Sequence, residues 1–297
     1  MLMATGRLGD KTVNRIGFGT MQLAGPGVFG PPRDPEAARA VLRRAVELGV
    51  DHIDTAQYYG PDVVNELIRD TLHPYPEGLR LVTKVGARRD QGGAWLPALS
   101  AAELREGVEQ NLRTLRIERL DLVNLRLMDS EAEGPLSEGL GTLSELREEG
   151  KLDLIGISTV PTEVVAKALD LADVASVQNP FSILDQGDRP TLELCRERGR
   201  AYVPYFPLGS AFVGGPASIA ADPTIAGVAA KHGATPSQVA LAWLLSLYDD
   251  LLLIPGTGSV AHLEENLAAA ELALDEEDLA ALEGVEQLGS VEARMRH

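Results

Sequence analysis

Cysteine is almost missing from this 297-residue chain, with Cys195 standing alone, so no internal disulfide can form and a reduced compartment is the simplest setting. A bridged scaffold is excluded. Positive charge is also scarce: 27 Lys and Arg face 44 Asp and Glu, a formal charge of -17, which repels phosphate backbones and anionic headgroups. Nucleic-acid and membrane-surface roles lose support. No apolar run approaches the roughly 18 residues that cross a bilayer, and Met1 to Asp10 lacks a basic-then-apolar targeting pattern. The expectation is a soluble cytoplasmic protein. The five histidines, His52, His73, His232, His262 and His297, form no H-x-x-x-H or Cys/His cluster, so no metal is expected.

What is present is a steady alternation. Short apolar runs occur at Ile16 to Gly19, His52 to Asp54, Leu81 to Val85, Leu122 to Leu125, Leu154 to Ile157, Ala175 to Gln178, Tyr202 to Tyr205 and Leu251 to Ile254. Stretches of helical period separate them, with start signals at Asp34-Pro35, Ser100 and Pro161-Thr162. Eight β/α pairs favour a closed barrel over an open doubly wound sheet. The open sheet also lacks its dinucleotide fingerprint, because Gly17 and Gly19 run into Thr20-Met21-Gln22-Leu23 instead of G-x-G-x-x-G. Asp275 to Glu286 reads as an amphipathic last helix with Leu279, Leu282 and Val285 on one side. The expectation is therefore an α/β chain, a (β/α)8 TIM barrel with an extra C-terminal helix, as one domain over residues 1–297.

Strands covered on both faces should be apolar throughout, yet these end in Asp54, Lys84, Arg126, Ser158 and Gln178. In a barrel those carboxyl ends share one mouth, where the chemistry of the fold is placed. Lys84 is one of five lysines, and three readings compete for it. It could form a rim salt bridge with Asp54, act as a Schiff-base nucleophile, or hold down the pKa of a neighbouring acid. The segment Asp54-Thr55-Ala56-Gln57-Tyr58-Tyr59-Gly60 offers that acid in Tyr59. An ammonium about 4 Å from a phenol, at an effective dielectric of about 20, contributes roughly 4 kcal/mol, enough to draw the hydroxyl toward neutrality before desolvation opposes it. Tyr59 could then protonate an oxygen that develops negative charge. Met21, Phe29 and Trp95 fall on loops near the mouth, where they could line an apolar substrate pocket or simply pack. His52 shares strand parity with Asp54 and reads as a satisfied interior histidine.

Taken in order, Gly17-Phe18-Gly19-Thr20, Gly49-Val50-Asp51-His52-Ile53-Asp54-Thr55-Ala56 with Tyr59-Gly60, Thr83-Lys84, Gly156-Ile157-Ser158, Val177-Gln178-Asn179, Pro207-Leu208-Gly209, and Ile254-Pro255-Gly256 with Glu265-Asn266-Leu267 resemble the aldo-keto reductase superfamily. These are NADPH-dependent carbonyl reductases built on a (β/α)8 barrel. The resemblance implies Tyr59 as proton donor, with Lys84 and Asp54 as charged partners. It implies a nucleotide held by Gly19, Thr20, Met21, Asp54, Ser158, Gln178, Tyr205, Leu208, Gly209, Ser210, Gly256, Thr257, Ser259, His262, Glu265 and Asn266. Within that set, Ser158 and Gln178 match residues that bond the nicotinamide carboxamide. Tyr205 matches the aromatic that stacks on the ring; taken singly, Tyr205 could be barrel filling, Thr257 and Ser259 a turn with a helix cap, and Glu265 a solvated helix residue, but the ordered set favours the nucleotide.

Three departures stand out. Arg126 occupies the place where the family usually carries a histidine; a guanidinium polarises a carbonyl but cannot cycle its proton. Thr159 follows Ser158 where asparagine is common. The 2'-phosphate region holds Gly256 and His262 in place of strong bases, which leaves NADH open beside NADPH and leaves Arg88, Arg89 or another loop cation to supply charge. The implied substrate is a small carbonyl compound lodged against Met21, Tyr59, Trp95 and Arg126. A nucleotide-sensing relative with little turnover and a Lys84 Schiff-base lyase are the alternatives. Oligomeric state is not written in the sequence.

Overall fold

Strand-forming residues appear wherever the chain must be buried on both faces. A computed structural model describes residues 4–127, 133–209 and 215–288. An antiparallel hairpin comes first, β1 (Thr5–Leu8) and β2 (Lys11–Asn14). The central strands are β3 (Phe18–Gly19), β4 (His52–Asp54), β5 (Arg80–Val85), β8 (Leu120–Arg126), β9 (Leu152–Ser158), β10 (Val174–Gln178) and β11 (Ala201–Tyr202), all parallel and ordered β11-β10-β9-β8-β5-β4-β3. A second hairpin, β6 (Ala87–Arg89) and β7 (Trp95–Pro97), rises directly after β5.

The eighth run closes the ring without forming a regular strand. Leu251 bridges Tyr202 and Leu253 bridges Ile16, both in parallel. Leu252 donates its N–H to Tyr202, while Leu253 donates to Arg15 and accepts from Gly17. Pairing stops there because Pro255 has no N–H to continue a ladder. The runs at Ile16 to Gly19 and Tyr202 to Tyr205 are likewise shorter as strands than their apolar stretches.

Helices clothe the outside: α1 (Pro35–Glu47), α2 (Val63–Leu72), α3 (Ala101–Leu115), α4 (Glu133–Glu148), α5 (Thr162–Leu171), α6 (Arg189–Arg198), α7 (Gly215–Ala221), α8 (Pro223–His232), α9 (Pro236–Leu247), α10 (Val260–Ala268) and α11 (Glu276–Glu283). Their starts follow local chemistry. Asp34 caps α1 through the Ala37 N–H, and Ser100 with Glu103 forms a reciprocal capping box on α3. The last helix ends at Glu283 with Gly284 as its cap, shorter than its amphipathic pattern, and Leu282 and Val285 are buried while Leu279 is half-buried. Lys231 and His232 of α8 pin it through Asp275 and Asp278.

Along β4, β5, β8 and β10 the axis is lined by even-numbered residues such as Asp54, Val82, Asn124 and Gln178, whereas after β11 it is odd-numbered Val203 that faces in. Leu8, Val82, Leu122, Val203, Leu252 and Ile254 make the apolar filling at the amino-terminal end, with Leu8 of the hairpin as a plug. Gly156 is glycine because a Cβ there would fall 2.1 Å from Asn124 Oδ1 and 2.6 Å from Ser176 Oγ. Polar side chains thus take over the axis toward the mouth. No helix among the described residues is long and apolar enough to cross a membrane.

Candidate active site

The carboxyl ends of β4, β5 and β10 bring three side chains into one buried cluster. Lys84 Nζ donates to Asp54 Oδ1 at 2.5 Å and to the Thr55 carbonyl at 3.0 Å. Gln178 Nε2 donates to the other carboxylate oxygen at 2.8 Å. Asp54 is therefore fully occupied, and Gln178 Oε1 remains buried with no partner among the described residues. Asp54, Lys84 and Tyr59 are 4%, 3% and 4% exposed, so the ion pair is screened little by water. The ammonium lies 5.1 Å from the centroid of the Tyr59 ring. Phenol and ammonium share one mouth.

Electrostatics here correct the sequence expectation. Burial pushes the Tyr59 hydroxyl well above its ordinary pKa, the Asp54 carboxylate pushes the same way, and Arg126 is the charge that pulls it down. Lys84 does not bring the phenol near neutrality, because its charge is spent on Asp54. Tyr58 beside it is pushed up to about 12, again by burial first, with Arg126 opposing.

A buried polar network fixes the segment that carries the two tyrosines. Thr55 Oγ1 donates to Asn65 Oδ1 at 2.8 Å, and Asn65 Nδ2 donates to Asn111 Oδ1 at 2.8 Å. Thr83 Oγ1 donates to the same Asn111 oxygen at 2.7 Å, while Asn111 Nδ2 reaches Gln57 Oε1 at 2.9 Å. Two helices, α2 and α3, thereby hold the loop from behind. Sequence reasoning missed Asn65, Asn111 and Tyr58; the signal was two asparagines on apolar helix faces.

Arg126 ends β8 in register with Ser158. It is half-buried, its Nε is buried without a partner, and it makes no ion pair among the described residues. Its guanidinium carbon sits 5.6 Å from the Trp95 ring, whose other neighbours are Arg89 at 4.1 Å and Tyr58 at 5.4 Å. Asp129, an acid three residues further along the sequence that could pair with Arg126, lies outside the described residues. Trp95 thus reaches the mouth from the β6–β7 hairpin.

The residues assigned to a nucleotide divide in two. Gly19 and Gly256 press backbone to backbone, since a Cβ on Gly19 would fall 2.5 Å from the Ile254 carbonyl oxygen and one on Gly256 2.5 Å from that of Gly19. Thr20 fastens this seam to β4 by donating Oγ1 to the Asp54 carbonyl at 2.9 Å. Ser158 Oγ, Thr159 Oγ1 and the Tyr205 hydroxyl form a chain of 3.2 and 3.4 Å contacts at the same mouth. Met21 is half-buried and lines a cleft with Gln22 and Gly258, and Leu208 and Gly209 follow Tyr205 on the next loop. Ser210 lies outside the described residues.

The second group sits around the start of α10, away from the ion pair. Ser259 caps that helix through the His262 N–H at 3.4 Å, and Thr257 Oγ1 accepts from the Ser259 N–H at 3.1 Å. Glu265 is no free helix residue: it accepts from Thr235 Oγ1 at 2.6 Å. Asn266 is buried and His262 exposed. Of the two loop cations, Arg89 is committed to backbone carbonyls while Arg88 stays exposed beside an acid. Arg89 donates to the carbonyls of Gly27, Val28 and Gly93, and Arg88 faces Glu103 at 3.9 Å. Arg33, which sequence reasoning passed over, is exposed and shares a cleft of about 370 Å³ with Gln22 and Gly258. His52 also differs from expectation. Its Nδ1 meets Asp51 at 3.2 Å, but its Nε2 is buried with no partner among the described residues. Among those residues no cluster of metal ligands is found.

This geometry has relatives. The chain is 50% identical over 282 residues, 94% of its length and 96% of the other's, to pyridoxine 4-dehydrogenase of Escherichia coli (strain K12). It is 31% identical over 294 residues to a probable aldo-keto reductase of Glycine max, covering 90% of this chain and 84% of that one. Among solved structures, an aldo/keto reductase from Klebsiella pneumoniae in complex with NADP and acetate superposes with a TM-score of 0.79 at 26% identity, over 95% of this chain and 94% of that one. The model of the Aldo/keto reductase family matches residues 15–287, and with the closed barrel and its buried Asp54–Lys84 pair already in view, the chain belongs to that family of oxidoreductases.

Proposed function

We propose that this chain is one barrel domain that reduces aldehydes to alcohols at the expense of NADPH in the cytoplasm, with Tyr59 as proton donor and a pyridoxal-like aldehyde as substrate. The observation that carries the reading is the buried Lys84–Asp54 pair set against the Tyr59 ring. A bound nicotinamide dinucleotide supplies two electrons and one proton's worth of hydrogen to the carbonyl carbon. The chain's own residues do the rest. Gln178 Oε1, buried and unpartnered, is a ready acceptor for the amide N–H of a carboxamide, with Ser158 beside it as a donor. Tyr205 offers a half-buried ring for stacking. Ser259 and Thr257 at the head of α10, with Arg33 across the cleft, suit a phosphate.

Tyr59 stays protonated in its buried setting, so it can deliver its proton to the carbonyl oxygen as negative charge builds there. Lys84 and Asp54 hold that corner rigid, and Arg126 adds positive charge beside the phenol. A lysine that is ion-paired at 2.5 Å and also bonded to a carbonyl has no lone pair to offer, which speaks against the Schiff-base lyase. The pyridoxine 4-dehydrogenase relative speaks for turnover over sensing.

Tyr59→Phe is the deciding experiment. Reduction of pyridoxal should fall by about 10²–10⁴-fold, while quenching of NADPH fluorescence on binding persists. Unchanged turnover in this variant would remove Tyr59 from the chemistry.

A further inference from the structure

Among the described residues, the mouth carries more positive charge than the Asp54 carboxylate can balance. Asp54 is shared between Lys84 and Gln178, while Arg126 has no ion pair among the described residues and a buried, unpartnered Nε. Tyr58, with its ring edge-on to Trp95 at 5.4 Å, also carries a buried hydroxyl without a partner. A cation taken partly out of water costs free energy unless an anion or several acceptors meet it. The molecule as a whole is at -17, so this local excess is not a general property of the surface.

We infer that Arg126 selects aldehydes bearing an ionised oxygen on the ring carbon next to the one that carries the carbonyl. The inference rests on the carbonyl-reductase reading above. In such an aldehyde the phenolate and carbonyl oxygens lie in one plane on one side of the ring. A guanidinium presents two coplanar N–H donors at matching separation, which an imidazole in the same place cannot do. The flat ring finds its wall in Trp95 and Tyr58, and the carbonyl oxygen is left within the corner that holds Tyr59. Ionisation matters in a second way: an un-ionised ortho hydroxyl donates to its own carbonyl and competes with Tyr59, whereas the phenolate accepts only. Pyridoxal has this ortho arrangement, so its recognition would be one case of a broader rule.

The test uses the purified enzyme with NADPH and four probes: 2-hydroxybenzaldehyde, 4-hydroxybenzaldehyde, 2-methoxybenzaldehyde and benzaldehyde. Above the phenol pKa, kcat/KM for the 2-hydroxy compound should exceed that of the 4-hydroxy and 2-methoxy compounds by about ten- to a hundredfold, the worth of a charge-assisted hydrogen bond. The advantage should shrink when the buffer is taken below the phenol pKa. Arg126→Gln should bring the ortho-to-para ratio to about one, and Arg126→Lys should keep part of it, with the change carried mainly by KM. An ortho-to-para ratio near one in the unmodified enzyme overturns the inference, as does a pH-independent ratio; both readings stand even if the variants do not fold. An unchanged ratio in folded Arg126→Gln overturns it too, leaving Arg126 to stabilise the oxyanion of every substrate alike. Failure of the underlying reading looks different: none of the four aldehydes, nor pyridoxal, would be reduced.

Discussion

Lys84 and Asp54 illustrate how a buried pair changes the job of each partner. At 2.5 Å in a site a few per cent exposed, the two charges cancel each other toward everything else, and the phenol of Tyr59 experiences burial and the Asp54 carboxylate more than the ammonium. The pH behaviour follows directly. Tyr59 is protonated at neutral pH, so aldehyde reduction should show no loss up to about pH 9, while alcohol oxidation, which needs the phenolate as base, should climb through the alkaline range. Steady-state rates in both directions from pH 6 to 10 check this; a reduction limb falling near pH 7 would restore Lys84 as the tuning charge. Thr159 offers a second residue-level forecast. It is β-branched yet held at φ +62, a conformation costing roughly 1–2 kcal/mol that asparagine tolerates better. Thr159→Asn should raise stability in urea by about 1 kcal/mol and break the hydroxyl chain from Ser158 to Tyr205.

Elements acquire their positions through a few polar contacts laid between apolar ones. The loop after β4 does not hold its own shape; α2 and α3 hold it through Asn65 and Asn111, both wholly buried. Removing Asn111 strands the Gln57 oxygen and the Thr83 hydroxyl, each a desolvated polar group. Asn111→Ala should cost about 1–3 kcal/mol in chemical denaturation and lower kcat more than it raises KM, because the loop bearing Tyr59 loosens. Equal kcat in the variant would show that β4 alone sets the tyrosine.

At the scale of the whole molecule, the barrel is closed by two short seams and one clasp. Leu8 plugs the amino-terminal end, and Arg7 ties that hairpin to Asp250 at 2.5 Å. The clasp is at α11, where Lys231 and His232 hold the Asp278 carboxyl well below the usual carboxylate range against the burial that would raise it. A carboxyl depressed in the folded state stabilises above its unfolded pKa of about 3.9 and loses that contribution as pH falls through its folded value. Asp278→Asn should therefore melt several degrees lower than the parent at pH 7, and the gap should close as pH drops below about 4. Thermal melts across pH 3 to 8 measure it; a constant gap would assign the loss to packing.

Composition and periodicity by themselves determined the alternation of strand and helix, because a residue buried on both faces must be apolar and an outer helix must be amphipathic whatever lies beyond. The same logic exposed Asp54, Lys84, Arg126, Ser158 and Gln178, polar where the strand rule forbids it; four of them end their strands and Lys84 is the last residue but one of β5. Only the tertiary structure decided what those groups do to one another. That Lys84 spends its charge on Asp54, that Glu265 bonds Thr235, that Arg89 ties loops together, and that the tyrosine loop leans on Asn111 depend on distances between segments tens of residues apart. Coulomb and hydrogen-bond energies change over an ångström, and no one-dimensional pattern carries an ångström.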